Sequence, residues 1–329
     1  MSRQMAAESE PISVVTACDE IYVRAAGVTL ASASASVPFQ QAMDFYVLDG
    51  GVSPRSKAKL EQSCAAPGRR FHWLTPDLHI LRGLPVSQHI NLSTYLRLLL
   101  AEMLPAKVER ALYLDADTVV VRNLTELWTT PLDGAFCAAV QEVLHPVLEP
   151  GDVYDRPLHC MTMPHVDPRP IPNYRDLGLR GTLPYFNAGI MLVNVPRWRE
   201  QHVAVRGLEC LRQNAGQVRY WDQYALNVLF AGQWKLLDAR WNQNSHVFRL
   251  PDWKLSHYSQ QELWAVQHDP WIVHFTNSPK PWDQECNHPY RELFFQQLDQ
   301  TAWAGWRPQN RSPAKTRSKP TFSRLSRAA

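Results

Sequence analysis

The 329-residue chain has no run of about 18 apolar residues, so no segment is expected to cross a bilayer as a helix. It has no apolar stretch behind a basic start either. Met1 to Glu10 is polar and mixed in charge, which argues against a secretory leader. Its six cysteines (Cys18, Cys64, Cys137, Cys160, Cys210 and Cys286) are scattered without a CxxC pair. That excludes a zinc ribbon or disulfide framework and suits reduced thiols in a cytoplasmic protein. A glycine-rich phosphate loop is missing behind the first expected strand, because Ala17 to Tyr22 contains no glycine. Internal repeats are absent too.

What is present is ordinary globular composition, 45% hydrophobic and 20% charged, long enough for one large domain or two small ones. Twelve tryptophans are many for this length; they read as core aromatics, or as rings that stack on sugars or meet a membrane. Charge is unevenly spread. Seven of the 34 basic residues lie between Trp303 and Ala329 with no acidic one, leaving 27 basic against 31 acidic residues elsewhere. A mildly acidic body ends in a basic stretch.

Ile12–Ala17, Asp44–Leu48, Phe71–Leu74 and Arg110–Leu114 are short apolar, β-branched or aromatic runs that read as strands. Between them, Arg24–Ser36, Ser53–Cys64 and Asn91–Leu104 read as helices, the last with apolar residues at 92, 95, 96, 99, 100 and 103 and Arg97 among them. Alternation of this kind predicts an α/β layer fold with a parallel sheet. Ligands of such sheets sit beyond the carboxyl ends of the strands. Asp19 and the pair Asp115/Asp117 fall at two such ends.

From 143 to 184 the periodicity stops, prolines recur, and His145, His159 and His165 are interleaved without compact metal-ligand spacing. A stretch like this reads as a functional loop or lid. Order resumes with Ala188–Val195 as a buried strand, Arg199–Arg212 and Asp222–Phe230 as helices, the second capped by Asp222, and Trp271–Phe275 as a last core strand. Beyond Ala302 a flexible tail is expected.

Three pieces carry chemistry. In Tyr113-Leu114-Asp115-Ala116-Asp117, two carboxylates end an apolar strand, which suits a hard divalent cation, although a surface turn looks the same. In Ile272-Val273-His274-Phe275 a histidine sits in a core strand, just before Lys280 held between two prolines. A satisfied core histidine is the plainer reading. Joined, Asp115, Asp117 and His274 would favour manganese first and magnesium second, since imidazole is softer than magnesium prefers. Finally, Asn187-Ala188-Gly189 at a strand start offers amide groups and close backbone approach, or is simply a turn.

In this order the pieces resemble glycosyltransferase family 8, the retaining enzymes that include bacterial lipopolysaccharide galactosyl- and glucosyltransferases and glycogenin. The matching stretches are Val14–Tyr22, Asn91–Leu99, Ala111–Trp128, Phe186–Trp198, Asp222–Phe230 and His274–Trp282. The resemblance implies a single GT-A type, Rossmann-like domain over residues 11–302, with a mixed, mostly parallel sheet flanked by helices. It implies that Ala17, Asp19 and Tyr22 hold the uracil of a UDP-sugar, Tyr22 by stacking. Arg97 and Ala116 would lie along the donor, and Lys280 on its phosphate. Asp115, Asp117 and His274 would bind the metal, while Asn187, Ala188, Asp222 and Gln223 would surround the transferred hexose. Two departures stand out: Tyr224 replaces a frequent acidic residue, and Asn277 stands where glycine is common.

A glycan or glycolipid is the expected acceptor. Trp303 and Trp306 with the basic stretch read as an anchor for anionic lipid, or as a solvated tail. No nucleic acid is expected on an acidic body. The alternatives are a non-catalytic nucleotide-sugar binding protein and, last, a nucleotidyltransferase.

Overall fold

The computed structural model describes residues 10–85, 92–149, 169–250 and 252–308. Its main sheet is built from β1 (Ile12–Cys18), β2 (Met43–Asp49), β3 (Arg69–Leu74), β4 (Arg110–Leu114), β6 (Cys137–Gln141), β7 (Phe186–Asn194) and β8 (Lys235–Leu236). The strand order is β3-β2-β1-β4-β7-β6-β8. All neighbours pair in parallel except β7, which runs antiparallel to both β4 and β6. The sheet is thus mixed and mostly parallel, as expected. A smaller sheet joins β5 (Thr118–Val120), β10 (Ile272–His274) and β9 (Gln243–Asn244) in the order β5-β10-β9.

Alternation along the strands feeds two cores. Val14, Phe45 and Leu112 belong to one hydrophobic cluster, and their neighbours Val15, Tyr46 and Tyr113 to the other. Helices α1 (Val23–Ala35) and α2 (Pro54–Cys64) cover the first face. On the second face lie the segment Leu92–Met103, α5 (Val195–Glu200), α6 (Val203–Gln213) and α7 (Trp221–Leu229). The remaining helices are α3 (Leu100–Met103), α4 (Leu124–Trp128), α8 (Gln260–His268) and α9 (Arg291–Leu298).

This order decides where a site can form. Strand β1 has β2 on one side and β4 on the other, so the chain reverses its direction of progress there and leaves a crevice beyond the strand ends. Antiparallel β7 begins where β4 and β6 end, so Asn187 and Gly189 arrive at the same edge.

Several expectations need correction. Leu92–Leu99 winds as a 3-10 helix, with α-helix only at Leu100–Met103. In the tighter winding residues i and i+3 eclipse, which puts Thr94 and Arg97 on one edge where both reach Asp222. The single helix expected at Arg199–Arg212 is two, broken at His202, whose φ is +49°. Before the break, Arg199 donates to the carbonyls of Ala101, Leu104 and Pro105 and holds the end of the 92–103 segment. Asp222 does not cap its helix; it lies inside α7, behind Tyr220, and its carboxylate is spent on Thr94 and Arg97.

Trp303, expected to open a flexible tail, is instead part of the packed domain. Trp303 is buried in the first cluster, against Gly27 of α1, where a Cβ would lie 2.7 Å from the indole. Arg24 sits 4.1 Å over Trp306, and Arg307 pairs with Asp299. The aromatic half of the expected lipid anchor is therefore packed into the domain, and the remaining basic residues, 311–327, lie outside the described residues. Among the described residues no helix is long and apolar enough to cross a membrane.

Within 143–184, the described parts are packed. Leu148 N–H donates to Leu183 and Glu149 N–H to Gly181, and Ile171 and Tyr174 are buried. His159 and His165 lie outside the described residues, and His145 meets the Tyr220 hydroxyl at 2.5 Å. Cys18, Cys64, Cys137, Cys210 and Cys286 are free and buried. Of the twelve tryptophans, only Trp253 and Trp264 are exposed, so most serve packing.

Candidate active site

Strand β4 ends at Leu114, and the chain turns through Asp115-Ala116-Asp117 into β5. The turn is braced from α1, where the Thr29 hydroxyl donates to Thr118 O at 2.9 Å and accepts from Thr118 N–H at 3.2 Å. On the other side Asp115 N–H donates to Gly189 O at 2.8 Å. Strand β10 then pairs with β5 so that His274 faces Thr118. Register alone thus carries a histidine from residue 274 to the aspartates. Its Nε2 lies 3.6 Å from Asp115 Oδ2 and 3.4 Å from Asp117 Oδ1.

His274 Nδ1 is 2.8 Å from Asn242 Oδ1, an acceptor, so the ring proton sits on Nδ1 and the Nε2 lone pair faces the carboxylates. Asn242 in turn donates to Asn187 Oδ1 at 2.9 Å. Potential ligand atoms of Asp115, Asp117 and His274 all lie within 4.8 Å of one another. Gly189 forms the floor of this cluster: a Cβ there would stand 2.2 Å from His274 Cε1 and 2.8 Å from Asp115 Oδ2. Two carboxylates and one lone-pair nitrogen, over a floor that admits no side chain, fit a divalent cation such as manganese.

Lys280 closes the cluster from one side, 2.5 Å from Asp117 Oδ2 and 2.6 Å from Phe275 O. Burial alone would raise the Asp117 carboxyl. The Lys280 ammonium outweighs it and holds that group well below the usual carboxylate range. From the other side comes Arg97, itself buried. It donates to Ala188 O at 2.7 Å, pairs with Asp115 at 2.8 Å and lies 2.7 Å from Asp222 Oδ2. Its nitrogens are thus engaged by the protein, and Arg97 orients two acids. Burial, with Asp115 nearby, pushes the Asp222 carboxyl up to about 6 against the pull of Arg97.

The cluster sits where two lobes of one crevice meet. The first, about 140 Å³, is lined by Ala17, Asp19, Tyr22, Ala116 and the acids at the ends of β1 and β4. Asp19 Oδ1 accepts from the N–H groups of Ile21 and Tyr22 at 2.9 and 3.0 Å, which fixes the turn that presents Tyr22. Trp282 backs the Tyr22 ring edge-on at 5.6 Å. The second lobe, about 190 Å³, is lined by Asn187, Asp222 and Gln223 among others. Ala188 lines neither lobe; it is fully buried, and its N–H donates to Gln223 Oε1 at 2.9 Å.

Sequence reasoning missed Glu142. Strand β6 shifts register against β7 between Ala139 and Val140, and then delivers this buried acid into the second lobe. Its partners are all neutral amides. Asn187 Nδ2 donates at 2.7 Å, Asn244 Nδ2 at 3.0 Å, Val143 N–H at 2.9 Å, and the others are the Leu144 N–H and the Gln223 amide. The signal was available: Glu142 follows an apolar strand, as Asp19 and Asp115 do. Asn242 and Asn244 were missed as well, having no apolar run to mark them.

A family model described as glycosyl transferase family 8 matches residues 13–286. The chain belongs to glycosyltransferase family 8. General stress protein A of Bacillus subtilis is 24% identical over 90% of this chain and 96% of its own length. The lipopolysaccharide 1,3-galactosyltransferase of Salmonella typhimurium is 24% identical over 90% of this chain and 80% of its own length. A crystal structure of the galactosyltransferase LgtC with donor and acceptor sugar analogues superposes with a TM-score of 0.72 at 24% identity, over 88% of this chain and 96% of that one. The fold is therefore of the GT-A type that LgtC has.

Within this family 8 glycosyltransferase, the structure gives a place to each of the two residues that stood out against the family pattern. Tyr224 points away from the crevice; it is fully buried in the second core, and its hydroxyl donates to Asn173 Oδ1 at 2.7 Å. Asn277 has φ +66°, the left-handed region that asparagine tolerates better than most residues with a side chain, and its amide turns onto His246.

Proposed function

We propose that this glycosyltransferase moves a hexose, galactose or glucose, from a UDP-sugar to a hydroxyl of a glycan or glycolipid, with retention at the anomeric carbon. The observation that carries the reading is the Asp115/Asp117/His274 cluster, with Lys280 against it, at the junction of the two lobes. The lobe with Tyr22 and Asp19 takes the uracil end, and the lobe with Glu142, Asn187 and Gln223 takes the sugar. Relatives named as lipopolysaccharide galactosyl- and glucosyltransferases support a hexose donor and a glycolipid acceptor.

Manganese, held by Asp115, Asp117 and His274 with magnesium as second choice, would act as a Lewis acid on the diphosphate. The residues of the chain do the rest. Lys280 lies where negative charge grows as UDP leaves; a preorganised contact of this kind is typically worth about 2.7–4 kcal/mol. Asn187 and Asn244 orient Glu142, whose carboxylate accepts hydrogen bonds from sugar hydroxyls. Gln223 is an amide and a poor nucleophile, and Tyr224 faces away. These two facts favour attack from the same face within a tight ion pair over a covalent sugar–enzyme step. The reading as a non-catalytic binding protein rested on Tyr224 and Asn277; Tyr224 lies in the core outside the crevice, while Asn277 lines the second lobe.

The test is UDP release from a panel of UDP-galactose, UDP-glucose, their N-acetyl forms and UDP-glucuronate, with manganese and then with chelator. Metal-dependent release from UDP-galactose or UDP-glucose is expected. Binding of donor without release across a set of glycan acceptors would return weight to the binding-protein reading.

A further inference from the structure

The second lobe is lined by two unlike sets of groups. Glu142, Asn187, Asn244 and Gln223 form a hydrogen-bonded network of one carboxylate and three amides, which matches the hydroxyls of a transferred hexose. Leu144, Tyr220 and Trp221 instead offer apolar and aromatic surface.

Trp221 is the unusual member of the second set. Its φ is +46°, in the left-handed region that bulky side chains rarely adopt. Among the described residues the others with positive φ that are not glycine are Asp133, His202 and Asn277, and of these Asn277 also lines the lobe. Strained backbone of this kind gathers at ligand sites. Asparagine tolerates the region, and Asn277 directs its amide to His246; tryptophan has no such tolerance. The strain at Trp221 is held from both sides. The Tyr220 hydroxyl meets His145 at 2.5 Å, and the Asp222 carboxylate is engaged by Thr94 and Arg97.

The Trp221 ring is not enclosed. It is half-buried, packed against the second core and also lining the lobe. Trp198, by contrast, is fully buried and its indole N–H donates to Phe136 O at 2.9 Å. Among the described residues the Trp221 N–H meets no acceptor and its face meets no other ring. An open aromatic face with a free donor at its edge fits a pyranose, which has an apolar C–H face and a rim of hydroxyls. The amide network already matches the transferred hexose, so the aromatic set is left for the other sugar of the reaction.

We propose that Trp221 is a specificity-determining residue that stacks on the terminal pyranose of the acceptor, so that the acceptor ends in a sugar ring rather than in a protein or lipid hydroxyl. This rests on the transferase reading and adds to it the platform that chooses the acceptor.

The experiment is saturation-transfer NMR of lactose, maltose and N,N′-diacetylchitobiose on the full chain with UDP and magnesium, beside calorimetric titration of UDP. At least one disaccharide is expected to receive saturation. Trp221→Phe keeps an aromatic face but loses the N–H, and should weaken that disaccharide about threefold to tenfold. Trp221→Gly removes the ring from a backbone that glycine adopts readily, and should weaken it about 10- to 100-fold. Both variants should bind UDP as the parent chain does. Thermal melting is run on each, and if Trp221→Gly does not fold, Trp221→Phe carries the comparison. The proposal is overturned if no disaccharide receives saturation or if binding survives unaltered in the folded variants. It is also overturned if UDP and disaccharide affinities fall together, which would make Trp221 a support for Asp222. The two readings fail separately. A chain that binds a disaccharide through Trp221 but no UDP would sink the transferase reading alone, and one that binds UDP but no disaccharide would sink the platform alone.

Discussion

The two lobes of the crevice are built by different means. The first hangs on the carboxyl ends of β1 and β4, where backbone pairing and two local side-chain braces, the Thr29 hydroxyl and the Asp19 carboxylate, set the turns. The second is an amide lattice: Glu142, Asn187, Gln223, Asn242 and Asn244 come from separate segments and hold one another in place. Strand ends impose position, whereas a lattice imposes it only when every member is satisfied. The first lobe should therefore survive changes that disable the second, and the metal cluster, which belongs to both, should survive neither its own loss nor that of its support.

The largest effect is expected at the shared cluster. Asp117→Ala should lower UDP release about 100- to 1000-fold, the size found when one preorganised charge contact is removed, as read by initial rates at saturating manganese. Release within twofold of the parent chain would break the comparison at its centre.

Next comes the support of His274. Asn242→Ala removes the acceptor that fixes its tautomer, and should weaken manganese binding about 10- to 100-fold while leaving metal-free UDP affinity alone. Equal losses in both titrations would mean that Asn242 holds the fold rather than the ring.

A smaller effect is expected within the second lobe. Glu142→Gln keeps shape but loses charge, and should slow sugar transfer about tenfold with UDP affinity unchanged. A rise in the Kd for UDP would show that the lobes are not separable.

The smallest change lies outside both. Tyr224→Phe removes only the hydrogen bond to Asn173, so it should cost about 1 kcal/mol of stability by denaturant unfolding and nothing in kcat. A large loss of kcat would place Tyr224 back in the reaction.

The same contrast explains what could be read in the residues beforehand. Asp19, Asp115 and Asp117 were legible because each ends an apolar strand, and strand ends are where an α/β sheet binds. His274 was legible only with Lys280 behind it. Glu142 stood in an equivalent place but opened an aperiodic, proline-rich stretch, which drew attention away from it. Asn242 and Asn244 acquire meaning only through β9, a two-residue strand defined by its pairing with β10. The 3-10 winding of Leu92–Leu99 was hidden because a 3.6-residue period and a 3-residue winding share their i, i+3 contacts over so short a span. Trp303 looked like tail because its partner, the bare backbone at Gly27, lies some 276 residues away and leaves no local pattern.

The most direct measurement is a manganese titration followed by electron paramagnetic resonance in the presence of UDP, on the parent chain and on Asp117→Ala. One bound Mn²⁺ per chain, lost or weakened at least tenfold in the variant, is the predicted result. Unchanged manganese binding in Asp117→Ala would contradict the assignment of the metal to the β4 turn, and with it the proposed reaction centre.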